Sequence, residues 1–342
     1  MAYNQLNLIF LKLSMLRPAP LIVSLLMLSI ASFIIAFSVG SYSLTFEQVW
    51  STLSSNQQNI QHTIVWELRA PRAYAAFITG GLLALAGALM QVLLRNPLAD
   101  PYILGVSGGA SAAALFAMSL GLSTAWLSGS AFIGALISIL LVFGLSHGKG
   151  SWNPTRLLLT GVVIAAGWGA LINFILSSSP DKPLRSMLFW LMGDLSHSEP
   201  SYLSLIILIA ALLITFIIAR QLNILARGEL QASTLGISVE PLRISLFLLA
   251  SLLTAFAVVQ AGSIGFIGLI VPHMLRLISG SDHRLLLPAS VLLGGSLLLI
   301  SDTLARTLIA PQQLPVGVIT AFIGVPFFLY LLNKNFSKSA AL

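Results

Sequence analysis

The sequence contains no cysteine and very little charge. Without cysteine the chain forms no disulfide, no thiolate metal site and no cysteine nucleophile, so a disulfide-stapled fold and thiol chemistry are both closed to it. Only 8% of its 342 residues are charged, against about 25% in a soluble domain, and so sparse a charge cannot solvate a globule of this size. Acidic residues are scarcest: 10 Asp and Glu against 17 Lys and Arg, for a net charge of +7. The basic residues stand singly, so no stripe exists to neutralise a phosphate backbone, and nucleic acid is not a partner. There is no phosphate-binding loop either. The stretch 144–151 (GLSHGKGS) has the wrong spacing, so the chain does not hydrolyse ATP by that route. His62, His147, His197, His273 and His283 show no paired spacing, and Glu67, Asp194 and Glu199 lack a His-x-x-x-His context, so no metal and no cofactor of its own is expected.

What is present is apolar length. Hydrophobic residues make up 57% of the chain, and the mean hydropathy is +0.96. A helix that crosses a bilayer needs about 20 mostly apolar residues, because lipid offers no partner to a free backbone amide. Such runs occur near Leu21–Val39, Ala73–Leu94, Tyr102–Leu120, Ala131–Leu145, Leu157–Leu176, Tyr202–Ala219, Ile244–Val259, Ile264–Ile278, Leu285–Leu304 and Val316–Leu332. The expectation is therefore an all-α, polytopic membrane protein of about ten spans. The first run is longer than a signal-peptide core and reads as a retained span.

Placing the N-terminus inside puts Lys12, Arg17, Arg95, Lys149, Arg156, Arg220, Arg227, Arg243, Arg276, Arg284, Lys334 and Lys338 on the cytoplasmic side, the larger share of the 17 cations. Both termini are then cytoplasmic. The remainder, Arg69, Arg72, Lys182, Arg185 and Arg306, fall at the opposite face and call for a local reason.

No linker or low-complexity tract divides the chain, so residues 1–342 read as one permeation domain. A weak internal echo runs through it: Gly87 and Gly268 each precede an arginine, Arg95 and Arg276, by eight residues, and Asp100 and Asp282 follow. Polar length concentrates in two segments. Residues 41–67 read as a solvated outer loop with a short helix near Thr45–Thr52. Residues 221–243 form the longest cytoplasmic segment, where Leu230, Thr234 and Leu235 at helical spacing between Gly228 and Gly236 predict a short amphipathic helix. It packs either on the protein's own helix ends or lipid surface, or in the groove of a cytoplasmic partner.

Two other functional classes were weighed from the residues. The string Gly105-Val-Ser-Gly108 resembles the turn of rhomboid-type intramembrane serine proteases, with His273 or His147 as a base for Ser107. The same residues also form a small-residue stripe that lets helices pack closely, which is the stronger reading. A stand-alone secondary transporter is the other alternative, but the spans lack the repeated acidic positions of a proton or sodium relay. Pro272-His273 reads as a kink with a hydrogen-bonded side chain.

The strings Arg69-Ala-Pro-Arg72, Gly87-Ala-Leu-Met-Gln91, Asn96-Pro-Leu-Ala-Asp-Pro101, Leu104-Gly-Val-Ser107, Phe189-Trp-Leu-Met-Gly193, Gly265-Phe-Ile-Gly-Leu-Ile-Val-Pro-His273, Asp282-His-Arg284, Leu287-Pro288 and Leu314-Pro-Val-Gly317 are decisive in combination. Together, in order from Arg69 to Leu332, they resemble the FecCD-type iron-chelate and vitamin B12 permease family of ABC importers. That resemblance implies a ten-helix, vitamin B12 permease-like subunit without catalysis of its own, in the bacterial inner membrane. It further implies a second copy of the permease, two cytoplasmic ATPase subunits that use ATP and Mg, and a periplasmic substrate-binding protein.

By resemblance, Arg69, Arg72 and Arg306 dock the binding protein, the alternative being snorkelling to lipid phosphate. Asn96, Leu98 and Thr155 match the cytoplasmic gate, although Asn153-Pro154 departs from the family pattern before Thr155. Gly228, Glu229, Leu235 and Gly236 match the segment that couples to the ATPase. Lys182, Arg185, Phe189 and Trp190 predict a short helix at the pathway mouth, where Arg185 attracts an anionic chelate or pairs with headgroups. The implied cargo is a ferric siderophore, haem or cobalamin.

Overall fold

The computed structural model describes residues 18–40, 42–54, 59–146, 154–196 and 201–339, and within them the chain is helical with no strand. Lys12, Arg17 and Lys149, which helped set the orientation, lie outside the described residues, as do His147, His197, Asn153 and Glu199. The helices are α1 (Pro18–Ser38), α2 (Phe46–Ser54), α3 (Ile60–Leu93), α4 (Val106–Ser119), α5 (Thr124–Ser146), α6 (Pro154–Ser178) and α7 (Asp181–Leu191). They continue as α8 (Tyr202–Ile217), α9 (Ala219–Leu225), α10 (Glu229–Thr234), α11 (Val239–Ala261), α12 (Ile267–Ser279), α13 (His283–Thr307) and α14 (Val316–Ser339).

Among the described residues, α1, α3, α5, α6, α11 and α13 are long and apolar enough to cross a bilayer. The pair α8 and α9, bent by 65° at Ile218, adds a seventh if counted as one span, and shorter apolar helices occupy Val106–Ser119, Ile267–Ser279 and Val316–Tyr330. Every apolar run read from the sequence coincides with one of these segments. The short outer helix expected near Thr45–Thr52 is present as α2.

The largest departure is at the start of α3. The expected loop extended to Glu67, whereas the helix begins at Ile60, where the Asn59 side chain caps it by accepting from the His62 amide at 2.8 Å. Residues Thr63–Arg69 are π-helical. Pro71 follows at once, and a proline lacks the N–H that an α-helical ladder needs there. The widened turn lets the helix continue through it without a break.

α3 is the hub of the fold, surrounded by α8, α11, α12 and α13. Its residues from Ala75 to Leu93 are almost all buried, and they are mainly Ala, Gly and Leu. Small residues matter because helices in lipid gain no hydrophobic drive from one another and associate through close packing. A Cβ added to Gly80 would overlap the carbonyl oxygen of Gly294 on α13, and one added to Gly87 would overlap that of Gly268 on α12. Thus the two glycines of the sequence echo are the residues at which the echoed segments touch. Gln91 reinforces the same crossing: its Nε2 donates to Leu269 O at 3.1 Å, and its Oε1 accepts from Arg276.

Candidate functional site

Four groups of residues singled out in the sequence are placed by the fold at two ends of the bundle. At the end formed by the C-termini of α1 and α13 and the outer part of α3, Asp302 lies fully buried. Arg72 grips its carboxylate from Nε at 3.0 Å and from a terminal nitrogen at 2.8 Å, and its other terminal nitrogen donates to Gln313 Oε1 at 2.9 Å. Arg306, one turn further along α13, reaches the same carboxylate at 3.3 Å and donates to Ala36 O at 3.3 Å. Arg69 is buried, and its guanidinium donates to the backbone carbonyls of Phe37 and Tyr42. Burial of a charge is tolerated where it is paired or hydrogen-bonded: Arg72 and Arg306 share Asp302, and Arg69 relies on backbone carbonyls. Arg69, Arg72 and Arg306, read from the sequence as docking residues, thus also make bonds within the chain. Arg69 presents no charge outward, and the other two are committed chiefly to Asp302, so all three tie α1, α3 and α13 together.

Near this end lies a cavity of about 1280 Å³, with Arg185, Phe189 and Trp190 of α7 in its wall. α7 forms where the sequence placed a short helix at the pathway mouth. The Arg185 guanidinium stands 5.7 Å from the Phe189 ring centroid, within the range of a cation–π contact. Asp194, Gln260, Gln312 and Gln313 also line the cavity. None of the four was read from the sequence as lining a pathway: Asp194, Gln312 and Gln313 lie in loops and carry no periodic signal, and Gln260 is a single polar residue near the end of the apolar helix α11. Such a volume exceeds the usual 300–1,000 Å³ of a small-ligand pocket, and its wall mixes aromatic rings with a few polar groups.

At the opposite end, the loop after α3 carries Asn96 and Leu98. Asn96 Oδ1 accepts from the Leu98 amide at 2.9 Å, which fixes the turn, and Arg95 takes a left-handed conformation with φ 47°. Thr155 is exposed at the start of α6. α10 forms between Gly228 (φ 143°) and Gly236 (φ 80°), as the amphipathic spacing predicted, with Ala232 buried and Leu230 and Leu235 strongly exposed. Glu229, at its first position, pairs with Arg95 at 2.9 Å and with Arg243 of α11. Nearby, Asn223 of α9 donates to Asp282 at 2.8 Å and accepts from the His283 amide at 2.9 Å. The Asn223 amide group holds the Asp282 carboxyl below the ordinary carboxylate range.

The protease alternative finds no support in the geometry. Ser107 Oγ donates to Ser263 Oγ at 3.0 Å, with no histidine in that contact, and Gly109 packs directly on Gly134 of α5. His273 is buried, and neither ring nitrogen meets a hydrogen-bond partner among the described residues, contrary to the bonded side chain expected beside Pro272. The described residues hold no cluster of three metal-ligating side chains. Ser107→Ala is expected to leave transport intact and to shift thermal stability by no more than about 1 kcal/mol, the worth of one hydrogen bond. A large loss of function in that variant would revive the nucleophile.

A family model, that of the FecCD transport family, matches residues 26–334. The chain belongs to this family. It is 40% identical over 309 residues to the hemin transport system permease HmuU of Yersinia pestis, covering 87% of this chain and 90% of that one. It is also 40% identical over 291 residues to the Fe(3+) dicitrate permease FecD of Escherichia coli, covering 83% and 90%. With the vitamin B12 import permease BtuC of Vibrio cholerae it shares 39% identity over 304 residues, covering 87% and 91%. A metal-chelate type ABC transporter solved in an inward-facing conformation superimposes with a TM-score of 0.82 at 31% identity, covering 92% of this chain and all but 1% of that one. The permease is thus a multi-pass membrane component of the ABC-importer type.

Proposed function

We propose that the permease forms half of the membrane pathway of an ABC importer that carries a metal chelate from the periplasm to the cytoplasm. One observation carries the reading. The cavity bearing Arg185, Phe189 and Trp190 lies at one end of the bundle, and α10 displays Leu230 and Leu235 to solvent at the other. Exposed leucines on a six-residue helix outside the bilayer need a covering surface, and a groove on a cytoplasmic ATPase supplies it. ATP and Mg act there, on two partner subunits, and the permease needs no cofactor.

A second copy completes the pathway. α6 supports this, since only 11% of its apolar window is buried within the chain. A substrate-binding protein docks on the outer rim that Arg69, Arg72 and Arg306 hold in shape. Asn96, Leu98 and Thr155 form the cytoplasmic gate, and ATP-driven closure of the ATPase pair alternates the two openings. Both termini face the cytoplasm of a bacterial inner membrane. The relatives named for hemin, ferric dicitrate and vitamin B12 support a metal chelate as cargo, and Arg185 suits an anionic one.

Reconstitution in proteoliposomes with candidate ATPase and binding-protein partners tests this. One of labelled haem, ferric siderophore or cobalamin is expected to accumulate only when ATP and both partners are present, and Arg185→Ala is expected to slow an anionic cargo about tenfold, the equivalent of one charge-assisted hydrogen bond. Uptake that needs neither partner nor ATP would assign the chain to the stand-alone transporters.

A further inference from the structure

We propose that Glu229 is a positioning residue that clamps the cytoplasmic gate loop to the ATPase-facing helix α10. Its purpose rests on the importer reading, but its geometry does not. A single carboxylate oxygen, Oε1, meets two guanidinium groups that come from different parts of the chain. One is Arg243 on α11, whose side chain is 5% exposed and which belongs to the fixed scaffold. The other is Arg95, 41% exposed, directly before Asn96 in the gate loop. The carboxylate sits between them at 38% exposure.

The backbone gives α10 little else to hold it in place. It has six residues, its one buried side chain is Ala232, and the glycines at its ends sit at φ 143° and 80°, where a residue with a side chain would be strained. The gate loop is held at its far end, where Gln91 Nε2 donates to Ala99 O at 3.5 Å, and within its turn by Asn96; at its near end Arg95 lies in the left-handed region that residues other than glycine rarely adopt. Displacing α10 therefore drags Glu229, and with it Arg95 and the loop that begins one residue later. Removing the carboxylate takes from Arg95 and Arg243 the counterion they share and so unfastens the loop from α10.

The absence of cysteine makes the test direct. Ala99 in the gate loop is fully buried, so Ala99→Cys in the full-length chain is a unique thiol that reacts with a membrane-impermeant maleimide only when the loop opens. In inverted vesicles holding the permease with its ATPase, Arg95→Gln is expected to raise the labelling rate about fivefold, the worth of an exposed ion pair. Glu229→Gln is expected to raise it at least as far, and Arg95→Lys to stay within about twofold of the parent because the charge remains. Parental labelling rates in both Arg95→Gln and Glu229→Gln would overturn the clamp. A separate arm adds nucleotide to the parental Ala99→Cys complex. A rate that responds to nucleotide in the parent but not in Arg95→Gln supports transmission through the bridge, whereas one that ignores nucleotide in the parent counts against the importer reading itself.

Discussion

Replacing Asp302 by Ala is expected to destabilise the permease by about 3–5 kcal/mol, the usual cost of leaving buried charge without its counterion. For a chain of this length that corresponds to a fall in melting temperature of about 4–7 °C in detergent. The reason is the arrangement around one fully buried carboxylate: Arg72 grips it from two nitrogens and Arg306 approaches from the next turn of α13. Without Asp302, Arg72 keeps Gln313 and Arg306 keeps the Ala36 carbonyl, but two guanidinium groups then face one another across a site closed to water. An apolar replacement of the whole cluster, Asp302→Leu with Arg72→Met and Arg306→Met, should recover most of the loss, because well-packed apolar groups often match a buried ion pair in stability. A melting temperature within about 2 °C of the parent for Asp302→Ala would show that the cluster is hydrated and of little structural worth.

Gly87→Leu is expected to yield no folded permease, and Gly87→Ala to lose about 3 kcal/mol, at the upper end of overpacking costs. Most cavities and crowded sites relax by moving a side chain, but here the obstacle is the backbone carbonyl of Gly268, and the helices bearing it must separate. Gly144→Ala is the matched control, since a Cβ there meets nothing within 4 Å. Alanine in a helix is favoured over glycine by about 1 kcal/mol, so that variant should be neutral or slightly stabilised. Thermal unfolding of the three variants by size-exclusion fluorescence decides the matter, and equal stability of Gly87→Ala and Gly144→Ala would mean that α3 and α12 are loosely packed.

The spans were legible because a bilayer allows few solutions: a long apolar run must be a helix, whatever its neighbours. α10 was legible for a related reason, being a short amphipathic pattern between two glycines. The outer extension of α3 was not. Its polar residues at 60–69 satisfy a loop as well as a helix, and only the tertiary burial of Val65 and Arg69 selects the helix.

The arginines show the same limit more sharply. An arginine near the end of a span reads alike whether its guanidinium meets a lipid phosphate, a partner's carboxylate or a carbonyl 32 residues away, as that of Arg69 does at Phe37. The Asp302–Arg306 pair had a sequence signal, because residues four apart share a helix face. Arg72, 230 residues from Asp302 and 241 from Gln313, had none. Likewise no spacing rule connects Arg95 to Glu229, since their meeting depends on how the ends of α3 and α10 are brought together.

The unusual length of α3 has a bearing on where the protein floats. At 1.5 Å per residue its 34 residues extend about 50 Å, whereas the hydrocarbon layer is about 30 Å thick. The part from Ala73 to Leu93 alone suffices to cross it. What remains, residues 60–72 with the π-helical stretch among them, is surplus to that crossing, and Arg69 and Arg72 stand where it joins the span. Because those two guanidinium groups are fastened to α1 and α13, three helices share one waterline. The molecule therefore cannot answer a thinner or thicker membrane by sliding these helices independently. It must tilt as a body or deform the lipid around it, so its vertical register is set by a collar of arginines rather than by the apolar lengths of its separate spans.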